Sequence, residues 1–474
     1  MCTHARLTAC ALTAAFAVAA GDSPFGRPTA LSEPVVLNDN GAWSWFQDER
    51  AVIDSATGTL LVSSVANSAG TGGMARHGNV EVVAYDMASK DARRTMLHAN
   101  LEADDHDSAA LFVRTDGRYV AAYSRHNTDG FTRWRVSYGS GSETAWRPEQ
   151  TFDHGAGTTY SNLYSAPGVD DRLYNFVRSA GRDPHFLVSD DDGSTWTFGG
   201  RLLNGPGRPY VRYATDGIGR IHLVTTEQHP LDFGNSVYHG VIDDGQLRRS
   251  DGTPVDTDLS DGVAVDPTRL TKVFAGDDGH RAWTVDLQID AAGQPFAAFS
   301  VRSPAGHRYH YARFDGARWR VHLLAHAGRG LYAAEPDYTG LVALDPYDPS
   351  RLVISTDAHP VTGRPLISGR DGHRHYELFE GVTIDDGATW SWTALTTDST
   401  VDNIRPIIPP GDSEHAALLW LRGTYSSYRV YDLDVVGLLT QLPAGRRSCT
   451  QGDHVARSEV VACNVPGTCG GRSR

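Results

Sequence analysis

Apolar residues along the chain fall into short runs separated by Gly, Asp and Asn, with no stretch of helical period of useful length. Short apolar runs bounded by turn residues read as strands. They recur in seven groups. The first holds 59–66 and 80–85; the second 109–113, 119–124 and 134–138; the third 172–177 and 185–189. The fourth holds 211–213, 221–225 and 237–242; the fifth 284–289, 296–301, 309–314 and 319–323. The sixth holds 341–344, 352–355 and 378–384; the seventh 404–408, 416–421 and 427–434. Turns such as Thr115-Asp116-Gly117, Thr215-Asp216-Gly217 and Phe314-Asp315-Gly316 punctuate them. Seven sheet-sized groups at regular intervals predict an all-β chain, a seven-bladed β-propeller over residues 41–438. The strand expected at Trp43 to Ile53 is placed to close the ring against the last blade.

Two segments repeat one local pattern. Ser189-Asp190-Asp191-Asp192-Gly193-Ser194-Thr195-Trp196 and Thr383-Ile384-Asp385-Asp386-Gly387-Ala388-Thr389-Trp390 both fit S/T-x-D-x-G-x-T-W. This is the Asp-box of bacterial-neuraminidase-type repeats. Its Asp and Gly make a tight hairpin, and its Trp packs back between sheets. The pattern supports a propeller and says little about activity.

The ends differ from the body. Arg6 followed by the apolar run Leu7 to Ala20, with small residues at Ala19, Ala20 and Gly21, reads as a secretory signal peptide over 1–20. Leu7-Thr8-Ala9-Cys10 looks like a lipoprotein box, but its Cys precedes most of the apolar run, so no lipid anchor is expected. Residues 21–40 are expected to be a linker or lead-in, and 439–474 a flexible tail holding Cys449, Cys463 and Cys469. No Cys lies between 11 and 448, which excludes a thiolate nucleophile or Cys-ligated metal there. A net charge of −14 disfavours nucleic acid and anionic membranes as partners. A protein this acidic can hold a polyanion only by gathering Arg and His in one groove.

Propellers bind ligands where loops of several blades converge. Asp104-Asp105-His106-Asp107 precedes one predicted strand and Ser124-Arg125-His126-Asn127 follows its neighbour, so a hairpin brings both His to one rim. In the next blade lie Thr159-Tyr160-Ser161-Asn162-Leu163-Tyr164 and Tyr174-Asn175-Phe176-Val177-Arg178. An Arg ending an apolar strand must be solvated or paired. Each His or Tyr taken alone is as readily a satisfied structural residue.

Gly41-Ala42-Trp43-Ser44-Trp45-Phe46-Gln47-Asp48-Glu49-Arg50-Ala51-Val52 resembles the opening motif of the neuraminidase-repeat propellers that include ulvan lyases. The likeness runs on through the His pair, Tyr160-Ser161-Asn162, the Asp-box, Arg208-Pro209-Tyr210-Val211, His229-Pro230, Tyr338-Thr339-Gly340, Arg405-Pro406, Trp420 and Gly423-Thr424-Tyr425, over roughly residues 36 to 436. It implies a lyase that cuts a uronate-containing polysaccharide, ulvan or another rhamnosyl-glucuronate polymer, by β-elimination. It implies His106, His126, Tyr160 and Arg178 as the catalytic set, with Tyr164 the alternative to Tyr160. Tyr164, Arg208, Tyr210, Trp45, Arg405 and Tyr425 are then the expected substrate-binding residues.

The residue types suit that chemistry. Arg178 stays charged and binds a carboxylate bidentately, stabilising the charge that develops when the C5 proton leaves. His126 or Tyr160 serves as base, and Tyr160 as acid toward the leaving oxygen. His106 positions substrate or acts from the opposite face. The chemistry needs no cofactor, and the expected partner is an acidic polysaccharide, sulfated or not, bound by a monomer. Thr226-Glu227-Gln228-His229-Pro230 recurs as Thr356-Asp357-Ala358-His359-Pro360, each followed by a further His, His239 or His375. Carboxylate and imidazole together suit a structural Zn or Ca, placed at His229 and His239, against the alternative of rim hydrogen bonding. Two other functions fit the fold. A glycoside hydrolase would draw on Asp104, Asp105 and Asp107. A non-catalytic sugar binder would use Trp43, Trp45, Trp420 and Tyr425 as stacking platforms.

Overall fold

The computed structural model describes residues 34–47, 50–141, 143–166, 172–412 and 414–441. The expected signal peptide, all five cysteines and the tail beyond 441 lie outside these residues, as does most of the lead-in. Among the described residues, seven antiparallel sheets form a ring. The first blade holds β2 (Ala51–Asp54), β3 (Thr59–Val65), β4 (Val80–Asp86) and β5 (Ala92–His98). The second holds β6 (Ala110–Val113), β7 (Tyr119–Ser124), β8 (Phe131–Val136) and β9 (Gln150–Asp153). The third holds β10 (Leu163–Ala166), β11 (Arg172–Arg178), β12 (Pro184–Ser189) and β13 (Thr197–Arg201). The fifth holds β20 (Arg281–Ile289), β21 (Pro295–Ser303), β22 (Gly306–Phe314) and β23 (Trp319–Gly328). The sixth holds β24 (Val342–Leu344), β25 (Arg351–Thr356), β26 (Glu377–Val382) and β27 (Ser391–Ala394).

The fourth blade is larger. It contains β14 (Val211–Thr215), β15 (Ile221–Thr225), β16 (Val237–Asp243), β17 (Gln246–Arg249), β18 (Pro254–Asp256) and β19 (Thr271–Phe274). The first half of β16 pairs with β19 and the second half with β17, so the outer layer of this blade is split. Strands β17–β19 are short and polar, and the sequence pattern misses them, as it misses the four-residue β10 and the glycine-containing β13.

The seventh blade consists of β28 (Asp402–Ile407), β29 (His415–Ser427), β30 (Val430–Gln441) and β1 (Val35–Asn38). Ring closure is therefore made by β1 on β30, in the segment expected to be a lead-in. The Trp43–Ile53 segment does not close the ring. Trp43 to Gln47 form an irregular stretch, and only Ala51 onward is a strand, in the first blade. The physical reason is the aromatic content: Trp43, Trp45 and Phe46 fill the ring interior and cannot alternate in and out as a strand requires.

The Asp-boxes are the β12–β13 and β26–β27 hairpins. Asp191 accepts from the Thr195 backbone N–H and hydroxyl, both at 2.8 Å, and Asp385 repeats this with Thr389 at 2.8 and 2.7 Å. Gly193 and Gly387 take φ of 85° and 91°, a backbone that glycine adopts without a Cβ penalty. Trp196 packs among Val120, Leu173 and Leu187 between the second and third blades, and Trp390 sits edge-on to Tyr311.

Candidate active site

The second strand of each blade ends on one rim of the ring, where Ser124 leads to His126 and β11 ends in Arg178. On this rim Asp105–Asp107 make one 3-10 turn, capped by the Asp104 carboxylate on the His106 N–H at 3.0 Å. The turn aims His106 at its neighbour. The His106 and His126 rings stack with centroids 3.8 Å apart and an interplanar angle of 17°. One carboxylate serves both: Asp104 Oδ1 meets His106 Nδ1 at 2.6 Å, and Oδ2 meets His126 Nδ1 at 3.0 Å. Arg429, from the β29–β30 turn, donates its Nε–H to Asp104 Oδ2 at 3.2 Å, and Tyr428 lies edge-on to both imidazoles.

Arg178 reaches the pair from the third blade. Its Nη2 lies 3.4 Å from His126 Nε2, its Nη1 donates to the Tyr160 hydroxyl at 3.4 Å, and its guanidinium sits 4.8 Å from the Tyr160 ring centroid. Tyr210 flanks it on the other side at 5.3 Å. The Thr159–Arg178 backbone bridge fixes Tyr160 beside Arg178. Tyr160 (φ 69°), Phe46 (φ 57°) and Arg405 (φ 54°) all hold left-handed backbone, strain of the kind that gathers at functional sites.

Electrostatics separates the four groups. His126 is lowered to about 4 by burial, by the charge of His106 and by Arg178, against the pull of Asp104. Its Nδ1–H therefore donates to Asp104, and its Nε2 lone pair faces Arg178. Burial disfavours charge on His106, but Asp104 and Asp105 outweigh it and hold the imidazolium above its ordinary value. Burial raises the Tyr160 hydroxyl, with Arg178 opposing, so it keeps its proton. A neutral imidazole whose Nε2 lone pair meets the guanidinium, a proton-bearing phenol and that guanidinium thus converge.

The other expected site residues divide. Tyr210 and Arg208 stand beside this cluster, Arg208 with Asp232 at 3.4 Å. Trp45, Arg405 and Tyr425, expected to meet substrate, are instead buried beneath it. The Arg405 guanidinium lies between the Trp45 and Tyr425 rings at 3.9 and 4.3 Å and binds Asp105 at 2.6 Å, and Tyr425 donates to the same oxygen at 2.8 Å. The reason is the charge of Asp105, which is fully buried and needs partners. Tyr164 is a core residue, its hydroxyl on the Tyr213 carbonyl at 2.9 Å, which removes it as the alternative to Tyr160. Trp43 and Trp420 are likewise core residues at 2% exposure, not stacking platforms. Asp104, Asp105 and Asp107 are each 0% exposed, so none offers the accessible carboxylate a hydrolase needs. Asp107, with both oxygens buried and without a hydrogen bond among the described residues, is pushed well up by burial and by Asp104.

The structure does not bring the expected metal ligands together. His229 packs on Tyr210 and Trp283, with Nδ1 accepting from the Leu231 N–H at 3.1 Å and Nε2 3.5 Å from Glu335. His239 spends Nδ1 on Ser250 at 2.8 Å and Nε2 on His222 at 3.2 Å. The two share no neighbour among these contacts, and their donor sets do not fit one ion. Asp104, His106 and His126 place ligand atoms within 4.8 Å of one another, but both Asp104 oxygens are committed to imidazoles. Sequence reading missed Tyr428, Arg429 and Glu335. The first two lie three and four residues beyond Tyr425 of the Gly423-Thr424-Tyr425 run, and that proximity was the available signal.

Comparison with solved structures finds the same fold in an ulvan lyase of polysaccharide lyase family PL25 bound to -[GlcA(1-4)Rha3S]-, with a TM-score of 0.62 and 13% identity over 86% of this chain and 98% of that one. The polysaccharide lyase Uly1 gives a TM-score of 0.54 at 10% identity, over 88% of this chain and 95% of that one. A comparison with curated proteins finds no match. The model of the BNR repeat-containing family matches residues 71–327, more than half of the chain. The Asp-box hairpins, the ring of seven sheets and this match agree, and the chain belongs to the BNR repeat-containing family.

Proposed function

We propose that this protein is a secreted polysaccharide lyase that cleaves a uronate-containing polysaccharide by β-elimination. The observation that carries it is the His126 Nε2 lone pair held against the Arg178 guanidinium, with the Tyr160 hydroxyl beside them. Arg178 binds the C5 carboxylate and offsets the charge that grows as the C5–H bond breaks. His126 Nε2 takes that proton. The electron pair forms the C4–C5 double bond, the C4–O bond breaks, and the Tyr160 hydroxyl gives its proton to the leaving oxygen. Neutral His126 is the base and Tyr160 the acid, because burial and neighbouring charge keep the first unprotonated and the second protonated. His106, charged and fixed by Asp104 and Asp105, holds His126 in its tautomer-setting stack. The mechanism uses no metal.

A glucuronate–rhamnose polymer of the ulvan type is the substrate we favour, since the ulvan lyase with the same fold binds -[GlcA(1-4)Rha3S]-. The test is incubation with a panel of uronate polysaccharides, reading ultraviolet absorbance of the unsaturated uronate. Absorbance with a glucuronate-rhamnose polymer supports the reading. New reducing ends without absorbance would replace it with hydrolysis.

A further inference from the structure

A cavity lies between the fourth and fifth blades. Its walls include the β14–β15 and β20–β21 turns, on the rim opposite the candidate active site, and the split outer layer of the fourth blade opens it. Its volume is about 240 Å³, below the roughly 300–1,000 Å³ of drug-sized sites, and room for one sugar unit.

A relay of hydrogen bonds leads into this cavity. The Trp319 indole can only donate, and its N–H is 3.0 Å from Ser250 Oγ. With that contact made, the Ser250 hydroxyl proton has His239 Nδ1 within reach, 2.8 Å away. Burial keeps His239 well below the ordinary imidazole range, so the ring is neutral, and with Nδ1 accepting from Ser250 its one proton is on Nε2, 3.2 Å from His222 Nδ1. His222, lowered to about 4 by burial, is also neutral and carries its proton on Nε2. That Nε2 is buried without a partner, on a residue 3% exposed that lines the cavity. Such a donor is held ready for an acceptor that the protein does not supply.

The rest of the lining fits an anionic acceptor. Arg248 and Arg249 both line the cavity. Arg249 Nε is fixed on the Arg269 carbonyl at 2.7 Å, and its Nη groups make no hydrogen bond among the described residues. Arg248 is offset by Asp243 at 3.6 Å. Phe314 and Pro295 give an apolar wall on which the C–H face of a pyranose ring can lie. We propose that this inter-blade cavity binds a single sugar unit bearing an oxyanion, carboxylate or sulfate, with His222 Nε2–H and Arg249 as its donors. The site does not rest on the lyase reading.

The test is calorimetric titration of Arg178→Ala protein, which lacks the main cation of the active-site rim, with glucuronate, glucose 6-sulfate, inorganic sulfate and glucose. Binding of glucuronate or the sulfated sugar but not glucose is expected, and whichever binds names the oxyanion. His222→Leu or Arg249→Gln, added to that background, should weaken it roughly tenfold, the worth of one charge-assisted hydrogen bond. Arg249 is exposed, so its variant reports even where the His222 variant fails to fold. No sugar binding, unchanged affinity in Arg249→Gln, or a response to inorganic sulfate alone, an adventitious ion only, overturns the proposal. Arg249→Gln in otherwise wild-type protein should leave lyase absorbance unchanged, so the two readings fail separately.

Discussion

His126 stacks on His106 at 3.8 Å while both rings bond to the one carboxylate of Asp104, so two neighbouring imidazoles occupy different protonation states. The charge on His106 helps keep His126 neutral, and the shared carboxylate turns the His126 lone pair outward.

This sets the acid limb of the pH profile. A base whose value lies at about 4 stays competent well below the ordinary imidazole range. Activity, read as kcat/KM, should persist as pH falls through 6 and decline only as it approaches roughly 4. A decline centred near 6.5 would show that His126 is not the base.

Removing the base or the cation should cost most. His126→Ala is expected to lower kcat by about 10²–10⁴-fold, and Arg178→Ala by at least about 10²-fold, with the propeller intact by circular dichroism. Arg178→Lys should rescue little, because an ammonium cannot bind a carboxylate bidentately. Wild-type rates in either alanine variant would displace the site.

Tyr160→Phe keeps the ring beside Phe46 and Arg178 and loses only the hydroxyl. The expected result is a fall in kcat of about 10²-fold or more with KM little changed, the mark of a group that acts in the transition state. Substrates with a better leaving group should recover part of the loss.

Arg405→Met removes the guanidinium from the buried carboxylate of Asp105 and leaves it Tyr425 and, at 3.0 Å from its other oxygen, His106. Loss of one partner of a buried ion pair costs about 3–5 kcal/mol, read by denaturant unfolding. Asp105→Leu in the same chain should recover much of it, because an apolar pair of similar volume needs no solvation.

The seven strand groups were legible because each blade contributes short apolar runs bounded by turns rich in Gly and Asp, and the Asp-boxes marked two hairpins directly. The His pair was legible by its position at the ends of neighbouring strands. The resemblance implied Arg405 and Tyr425 as substrate contacts, and in sequence a charged or aromatic residue looks the same whether it meets ligand or a buried partner. What separates the two is Asp105, 300 residues away from Arg405 in sequence. The split fourth blade was illegible for a different reason: polar strands such as Gln246–Arg249 carry no apolar period.

The closing strand sits near the start of the chain and its mates near the end. As a ribosome delivers the protein, Val35–Asn38 must wait for Val430–Gln441 before it has a neighbour to pair with. Asp104 and Asp105 wait with it, since Arg429 and Arg405 emerge 325 and 300 residues after them. The nascent chain therefore has no competent site until nearly all of it has been made.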